Sequence, residues 1–483
     1  MKKEKYILVA GLGKSGFSIA KFLKGKGENI IATDIDSSRA VIAAELEEKG
    51  IRTEIGFHKE KTFINAEKII VSPGIPLDNK YITMALQKGI PVTGEFDIAT
   101  EFIDIPVIAV TGTNGKTTVT TLISEMLKAS GLKVFTCGNI GTPIVEYFMG
   151  KKRADIIVAE MSSFQLDTAG KFSPDVAVLL NITEDHINRY KDFAAYSDSK
   201  WSIFKNQSQH DIAIINGSIR GVEKHLKGLK SIPVFFGRKN IVYETDPPYD
   251  GYSERKMAII KPDKIIINNL PSNNMYIPEK PEKPVTTDKN DMCVIDISGA
   301  RLKGEHNREN MAAASLACLA VGGTIKGIEK TVNSFKGLAH RIEYAGTINN
   351  VDYIDDSKAT NPDAVVKALE CFGNNIILIL GGRAKNTDFS YMGQAIKKRV
   401  KKIISLGESR TQIKNAFADI CEIVNADTMQ QAVDIAYKTA HPGDTVLLSP
   451  ACASFDMYKG YAARGDDFIL NVKLKKRKHL GNI

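Results

Sequence analysis

Short apolar runs alternate with longer segments of helical periodicity along most of the chain. The runs KYILVAG (5–11), NIIATD (29–34) and KIIVSPG (68–74) each stop at a turn signal. The theme returns in PVIAVTG, KVFTCG, DIIVAE, VAVLLNI and DIAIING between 106 and 217, and in NNIILILGG, KIISLG and DTVLLSP after 370. Continuous apolar runs separated by helices predict parallel strands covered on both faces. Three such clusters predict three α/β domains. We place them at 1–93, 94–337 and 338–483, with boundaries after KGIPVTG and before LAHRIEYAG. Residues 238–300 break the pattern. They are rich in Pro, Asn, Lys and Asp and hold the short runs KMAIIK, KIIINN and MCVIDI, which read as β-hairpin material around an irregular excursion.

Composition narrows the class. The chain has 483 residues, 43% hydrophobic and 25% charged, the balance of a folded protein of several domains. No run is long and apolar enough for a membrane span, so no membrane partner is expected. The charged N-terminus leads into a run that a glycine turn interrupts, which reads as a buried strand and not a signal peptide. Cys137, Cys293, Cys318, Cys371, Cys421 and Cys452 lack paired spacing, which suits reduced thiols in the cytoplasm. The net charge of +9 owes part of its excess to the terminal KLKKRKHLGNI, which reads as a solvated tail. Without aromatic and basic interleaving, an anionic substrate explains the charge better than nucleic acid.

Two glycine loops carry phosphate chemistry. GLGKSG (11–16) ends the first apolar run and opens a helical segment, with Asp34 at the end of the next run. Alone this is a dinucleotide fingerprint, compatible with a nicotinamide enzyme or a redox-sensing module. The second loop lies in AVTGTNGKTT (109–118), where a strand runs into a glycine-bounded turn and then a helix from about Thr118. Backbone N–H groups there form an anion nest. Lys116 would reach the β- and γ-phosphates and Thr117 would meet Mg²⁺. Val110 stands where the general motif has its first glycine.

Other candidates cluster at strand ends, where α/β proteins bind ligands. Glu160 ends DIIVAE and is costly there unless it meets a cation, whether metal or side chain. His186 in NITEDHINRY is a metal or substrate ligand or a structural histidine. Lys200 in YSDSKWSIF reads by default as surface. Asn307 and Asn310 open a small-residue helix, as caps or as ligand contacts. The last third gathers Arg341, Asp356, Thr360, Lys385, Ser454 and Tyr461 after successive strands, and cations there suit a dicarboxylate or phosphate. Cys452 among small neighbours reads as packing.

GTNGKTT, TEDH, HNREN, DDSKATNP and SPACASFD occur in an order that resembles the Mur ligase family over nearly the whole chain. DSKATNP and SPACAS favour the branch adding D-glutamate over those adding L-alanine, a diamino acid or a dipeptide; another amino acid is the alternative. The resemblance implies a Rossmann-like N-terminal domain, a central P-loop ATPase-type domain and a C-terminal Rossmann-like domain. It implies an ATP-dependent ligase joining D-glutamate to UDP-N-acetylmuramoyl-L-alanine through an acyl phosphate, in the cytoplasm and as a monomer. Position by position it implies a uridine-diphosphate cradle at Lys14, Ser15, Asp34, Ser72, Pro73 and Gly74, with Asn139 and His186 touching the sugar-linked substrate. It implies ATP contacts at Gly112, Thr113, Asn114, Gly115, Lys116, Thr117 and Thr118, joined by Asn307, Asn310, Arg341 and Asp356. One Mg²⁺ falls to Thr117 and Glu160, and a second metal to His186 and a carbamylated Lys200. Thr360, Lys385, Ser454 and Tyr461 match the D-glutamate pocket, and Lys116, His186, Lys200 and Arg341 the catalytic set. Tyr461 departs from the family's usual Phe, and 238–300 is longer than the family pattern.

Overall fold

A computed structural model describes residues 5–150, 153–183, 189–237, 257–268, 270, 292–302, 304–384 and 387–480. The chain forms two compact units. One holds Met1–Ile182, Asp192–Gly299 and Glu309–Asn333; the other holds Thr183–Lys191, Ala300–Arg308 and Ser334–Ile483. Three sheets account for the three apolar clusters, two in the first unit and one in the second.

The N-terminal sheet is parallel. Its strands are β1 (Ile7–Ala10), β2 (Ile30–Asp34), β3 (Arg52–Ile55), β4 (Lys68–Val71) and β5 (Val92–Thr93), in the Rossmann order β3-β2-β1-β4-β5. Alternation sorts its apolar side chains to two faces. Val9, Ala32 and Ile70 pack with Ile19, Phe22 and Leu23 of the helix Lys14–Gly25; Leu8, Ala10 and Ile69 pack with Ile82 and Ala85.

The central sheet contains β6 (Val107–Thr111), β7 (Val134–Gly138), β8 (Ile156–Glu160), β9 (Val176–Leu179), β10 (Ile212–Asn216), β11 (Ile232–Gly237), β12 (Met257–Ile260), β13 (Lys264–Asn268) and β14 (Met292–Asp296). Their order is β14-β13-β12-β11-β10-β9-β6-β8-β7. The pairs from β7 to β12 are parallel, whereas β12-β13 and β13-β14 are antiparallel. The hairpin material read from KMAIIK, KIIINN and MCVIDI therefore extends this sheet as a meander. β6 lies between β8 and β9, so the strand order reverses beside it, and ligands bind at such switch points. The helix Lys116–Ala129 leaves β6 and buries Val119, Leu122, Ile123, Met126 and Leu127, one stripe at helical spacing. It starts two residues before the expected Thr118.

The C-terminal sheet contains β15 (Glu343–Ile348), β16 (Val351–Asp355), β17 (Ile376–Leu380), β18 (Val400–Leu406), β19 (Glu422–Ala426) and β20 (Thr445–Leu448), in the order β15-β16-β20-β17-β18-β19. All its pairs are parallel except β15-β16. The basic terminus departs from the sequence expectation. Residues 473–480 continue the helix Tyr461–Leu480, which buries Arg464, Phe468 and Val472. Lys475 pairs with Asp434, and His479 Nδ1 lies 3.0 Å from the Tyr437 hydroxyl. The apolar stripe fixes the helix while the lysines face outward.

Candidate functional site

The central glycine loop is held from below. Thr113 N donates to Asn181 O at 3.0 Å, Asn114 N donates to Asn181 Oδ1 at 2.8 Å, and Asn181 Nδ2 donates back to Asn114 O at 3.0 Å. Asn181 follows β9, so the neighbouring strand's exit holds the loop after β6. Gly115 has φ +87°, and a Cβ there would stand 2.6 Å from Asn310 Oδ1. Asn310 therefore packs against the loop in the first unit, 6% exposed.

Buried charge distinguishes this loop. Lys116 Nζ donates to Gly112 O at 2.8 Å and Thr113 O at 2.9 Å, folded back over the turn. Lys200 corrects the default surface reading: it is 1% exposed, donates to Gly112 O at 2.9 Å, and lies 4.7 Å from the centre of the Tyr196 ring. The Tyr196 hydroxyl is 3.1 Å from Thr113 Oγ1. Glu160 is also 1% exposed. Its Oε1 accepts from Asn139 Nδ2 at 2.8 Å, while Oε2 is buried with no hydrogen-bond partner among the described residues. A sealed carboxylate oxygen without a donor is expensive, and a divalent cation would satisfy it. The donor set therefore fits a magnesium ion. Thr117 and Thr118 open the helix that follows the loop.

The N-terminal glycine turn borders a cavity of about 540 Å³, lined by Lys14, Ser15, Asp34, Ser72, Pro73, Gly74 and Asn139 among others. These residues come from both sheets of the first unit. All six expected cradle positions of the N-terminal domain line it. Leu12 N donates to Asp34 Oδ2 at 2.6 Å, Ser72 Oγ donates to Gly11 O at 2.7 Å, and Lys14 Nζ donates to Gly141 O. A Cβ on Gly16 would stand 1.8 Å from Gly11 O, so the chain passes itself where only glycine fits.

Among the lining residues that sequence reasoning missed are Arg39 and His58. His58 Nδ1 lies 2.9 Å from Thr33 Oγ1, its ring meets Phe63 and Tyr81 edge-on, and burial holds its pKa below the ordinary histidine value. A lone histidine in a loop gives no such signal.

In the second unit Asp356 and Thr360 follow β16 and Ser454 follows its neighbour β20, while Arg341 precedes β15 on the other side of β16. Asp356 is buried. Ser449 Oγ donates to its Oδ2 at 2.7 Å, and burial pushes its carboxyl up to about 7, opposed by Ser449 and by Arg341. Arg341 sits between His340 and Ile342, with φ values of 60° and 48°. A left-handed β-branched residue is a strained conformation that functional segments retain. Ser454 is buried, Thr360 half-buried, and Tyr461 39% exposed at the start of the last helix. Asn307, in this unit, is 6% exposed. Cys452 is packed as expected, its thiol pushed up to about 11 by burial.

Arg464 was not foreseen. It is 2% exposed and donates to Ser357 Oγ at 2.9 Å, Ser357 O at 2.9 Å and Cys452 O at 3.1 Å, tying two strand-exit loops together. Its start in YAARGDDF looks like ordinary helix surface. His186 and Lys385, both expected in the site, lie outside the described residues.

Comparison with known proteins gives one answer across the chain. Residues 5–94 match the family profile described as Mur ligase MurD-like, N-terminal domain; 110–318 match the Mur ligase middle domain; 340–452 match the Mur ligase, glutamate ligase domain. A protein of Desulfosudis oleivorans named UDP-N-acetylmuramoylalanine--D-glutamate ligase is 42% identical, over 98% of this chain and 97% of its own. One of the same name from Koribacter versatilis is 37% identical over 96% of each. Among solved structures, the MurF ligase from Thermotoga maritima in complex with ADP superposes with a TM-score of 0.59 at 17% identity, covering 93% of this chain and 96% of its own. The UDP-N-acetylmuramate-alanine ligase MurC from Thermotoga maritima gives 0.57 at 17% identity, covering 98% and 100%. These two share the fold.

Proposed function

The chain belongs to the Mur ligase family, and from that premise we propose that it is the ATP-dependent ligase that adds D-glutamate to UDP-N-acetylmuramoyl-L-alanine in peptidoglycan precursor synthesis. The observation carrying the reading is the near full-length match to proteins of that name together with a glycine loop that holds half-buried Lys116 and has buried Lys200 and Glu160 around it. The three-domain division at 93 and 337 is part of the proposal, as are action in the cytoplasm and as a monomer. Among the described residues no helix is long and apolar enough to cross a membrane.

In this reading Gly112–Thr118 hold the ATP phosphates on backbone N–H groups and the helix N-terminus. Lys116 exchanges its bonds to Gly112 O and Thr113 O for phosphate oxygens. It then offsets charge as the alanine carboxylate attacks the γ-phosphate, with Arg341 assisting. The acyl phosphate is an electrophile that a free carboxylate is not. The D-glutamate amine attacks it, and phosphate leaves from a tetrahedral intermediate. Thr117 and Glu160 would hold Mg²⁺, which supplies charge neutralisation at the β- and γ-phosphates when bound. Carbamylation would turn the Lys200 amine into an anionic ligand for a second metal, shared with His186. Asn307, Asn310 and Asp356 contact the nucleotide, and Thr360, Lys385, Ser454 and Tyr461 receive the D-glutamate. The first-unit cavity receives the uridine-diphosphate handle, with Asp34 towards the uridine end.

The test is phosphate release. It should require ATP, Mg²⁺, UDP-N-acetylmuramoyl-L-alanine and D-glutamate together. Release with L-glutamate but not D-glutamate would overturn the substrate assignment, and an amino-acid panel would identify another one.

A further inference from the structure

The handle cavity has two walls, one from each sheet of the first unit. Ser15, Asp34 and Ser72 follow strands of the N-terminal sheet, while Gly138, Asn139 and Gln165 belong to the central sheet and its loops. The separation of the walls depends on how the two sheets are joined, and one carboxylate gathers that join. Asp97 lies in the helix Glu95–Thr100, just after β5. Its Oδ2 accepts from Thr93 Oγ1 of β5 at 2.6 Å and lies 3.5 Å from Nζ of Lys68, the first residue of β4. Its Oδ1 accepts at 2.8 Å from Lys171 N, in the loop between the helix Ser163–Leu166 and β9. The two backbones meet beside it, where Gly94 N donates to Thr168 O at 2.8 Å. Glycine stands on both sides of this approach. A Cβ on Gly170 would be 2.0 Å from Asp97 Oδ1, and one on Gly94 would be 2.3 Å from Thr168 Oγ1. Thr168 Oγ1 in turn donates to Phe164 O at 3.3 Å, so the join runs straight into the short helix that carries Gln165 to the cavity.

We propose that Asp97 is a positioning residue: it clasps the two sheets so that the two walls of the cavity stand at the separation the sugar-linked substrate spans. The inference rests on the reading that this cavity takes the uridine-diphosphate handle and that Asn139 meets the sugar-linked part. A carboxylate suits the task. It accepts charge-assisted bonds, stronger than neutral ones, from several directions at once. The Asp97 side chain is only 16% exposed, so water competes weakly for it. Two other bonds join the walls, Lys14 Nζ to Gly141 O and Ser18 Oγ to Glu146 Oε1 at 2.5 Å. Each links one pair of residues, whereas Asp97 gathers Thr93, Lys68 and Lys171 on one group. The consequence differs for a short and a long ligand. UDP alone rests on the cradle of Lys14, Ser15, Asp34, Ser72, Pro73 and Gly74, all on the N-terminal side of the clasp, so its affinity does not depend on the separation. UDP-N-acetylmuramoyl-L-alanine reaches the far wall, so its binding does.

The test compares the two ligands on the full chain, UDP by calorimetry and UDP-N-acetylmuramoyl-L-alanine by its KM in the ligase assay. Asp97→Ala should raise the KM of the long substrate by about ten-fold or more, the scale of a small misplacement, and leave UDP affinity and the KM for ATP within about two-fold of wild type. Thr93→Val keeps the shape of β5 and removes one bond of the clasp, so it should show the same split at about three-fold. An unchanged KM for the long substrate, or an equal weakening of UDP and the long substrate, would overturn the inference; Thr93→Val decides it if Asp97→Ala fails to fold. A wild-type chain that does not bind UDP would overturn the handle reading itself.

Discussion

The two glycine loops of the first unit obey the same physics and do different work. Each follows a buried parallel strand, turns on glycines and opens a helix: Lys14–Gly25 in one, Lys116–Ala129 in the other. Each offers backbone N–H groups and a helix N-terminus to an anion. What differs is the charge packed around them. The N-terminal turn has Asp34 accepting from Leu12 N, and its neighbours in the cavity are mostly neutral or half-exposed. The central loop has two lysines directed at Gly112 O and a buried Glu160 with an unpartnered oxygen. In the proposed reading both turns take phosphate, and the charges packed around them decide whether it is gripped or transferred.

The comparison can be broken most sharply at Lys116. Lys116→Ala should lower turnover by roughly 10²–10³-fold, the scale of losing one charge-stabilising donor. Calorimetry with UDP should show unchanged handle binding. An undiminished rate would move phosphoryl transfer away from this loop. Next comes Lys200→Ala, expected to lower turnover by roughly 10–100-fold, as loss of a group that orients a metal site does. Short carboxylic acids should restore part of the rate if the native ligand is a carbamate; the same residual rate with and without them would remove the carbamate. The smallest effect is expected at the other loop. Gly16→Ala pushes a methyl group into Gly11 O and should raise KM for the UDP substrate by about 10-fold, the cost of a small misplacement. Initial rates at saturating UDP substrate should stay near wild type. A matching fall in kcat would make the two loops one functional unit.

Much of this was legible because local rules and tertiary structure agree. The strand runs and the helix after each glycine loop follow from apolar periodicity and turn residues, and the Rossmann-like domains from the family resemblance. Glu160 could be suspected because an acid at the end of a buried strand needs a partner. Lys200, by contrast, carried no local sign of burial. Its helix is short and mixed, and what encloses it is the loop from β6 and Tyr196. The basic C-terminus misled for the opposite reason. Its lysines dominate the composition, while Arg464, Phe468 and Val472, spaced four apart, decide how the helix packs.

By itself, then, the sequence determined the three largely parallel sheets, the two glycine turns and the family, because periodicity, glycine and ordered motifs act over short spans of chain. Only the tertiary structure decided which ionisable groups are sealed from water. Lys200 is sealed against the central glycine loop, burial pushes the Asp356 carboxyl up to about 7, and Arg464 bridges two strand exits. Each of these depends on what distant strands bring within a few ångströms. Desolvation is set by those neighbours in space, and the residues on either side in the chain carry no record of it.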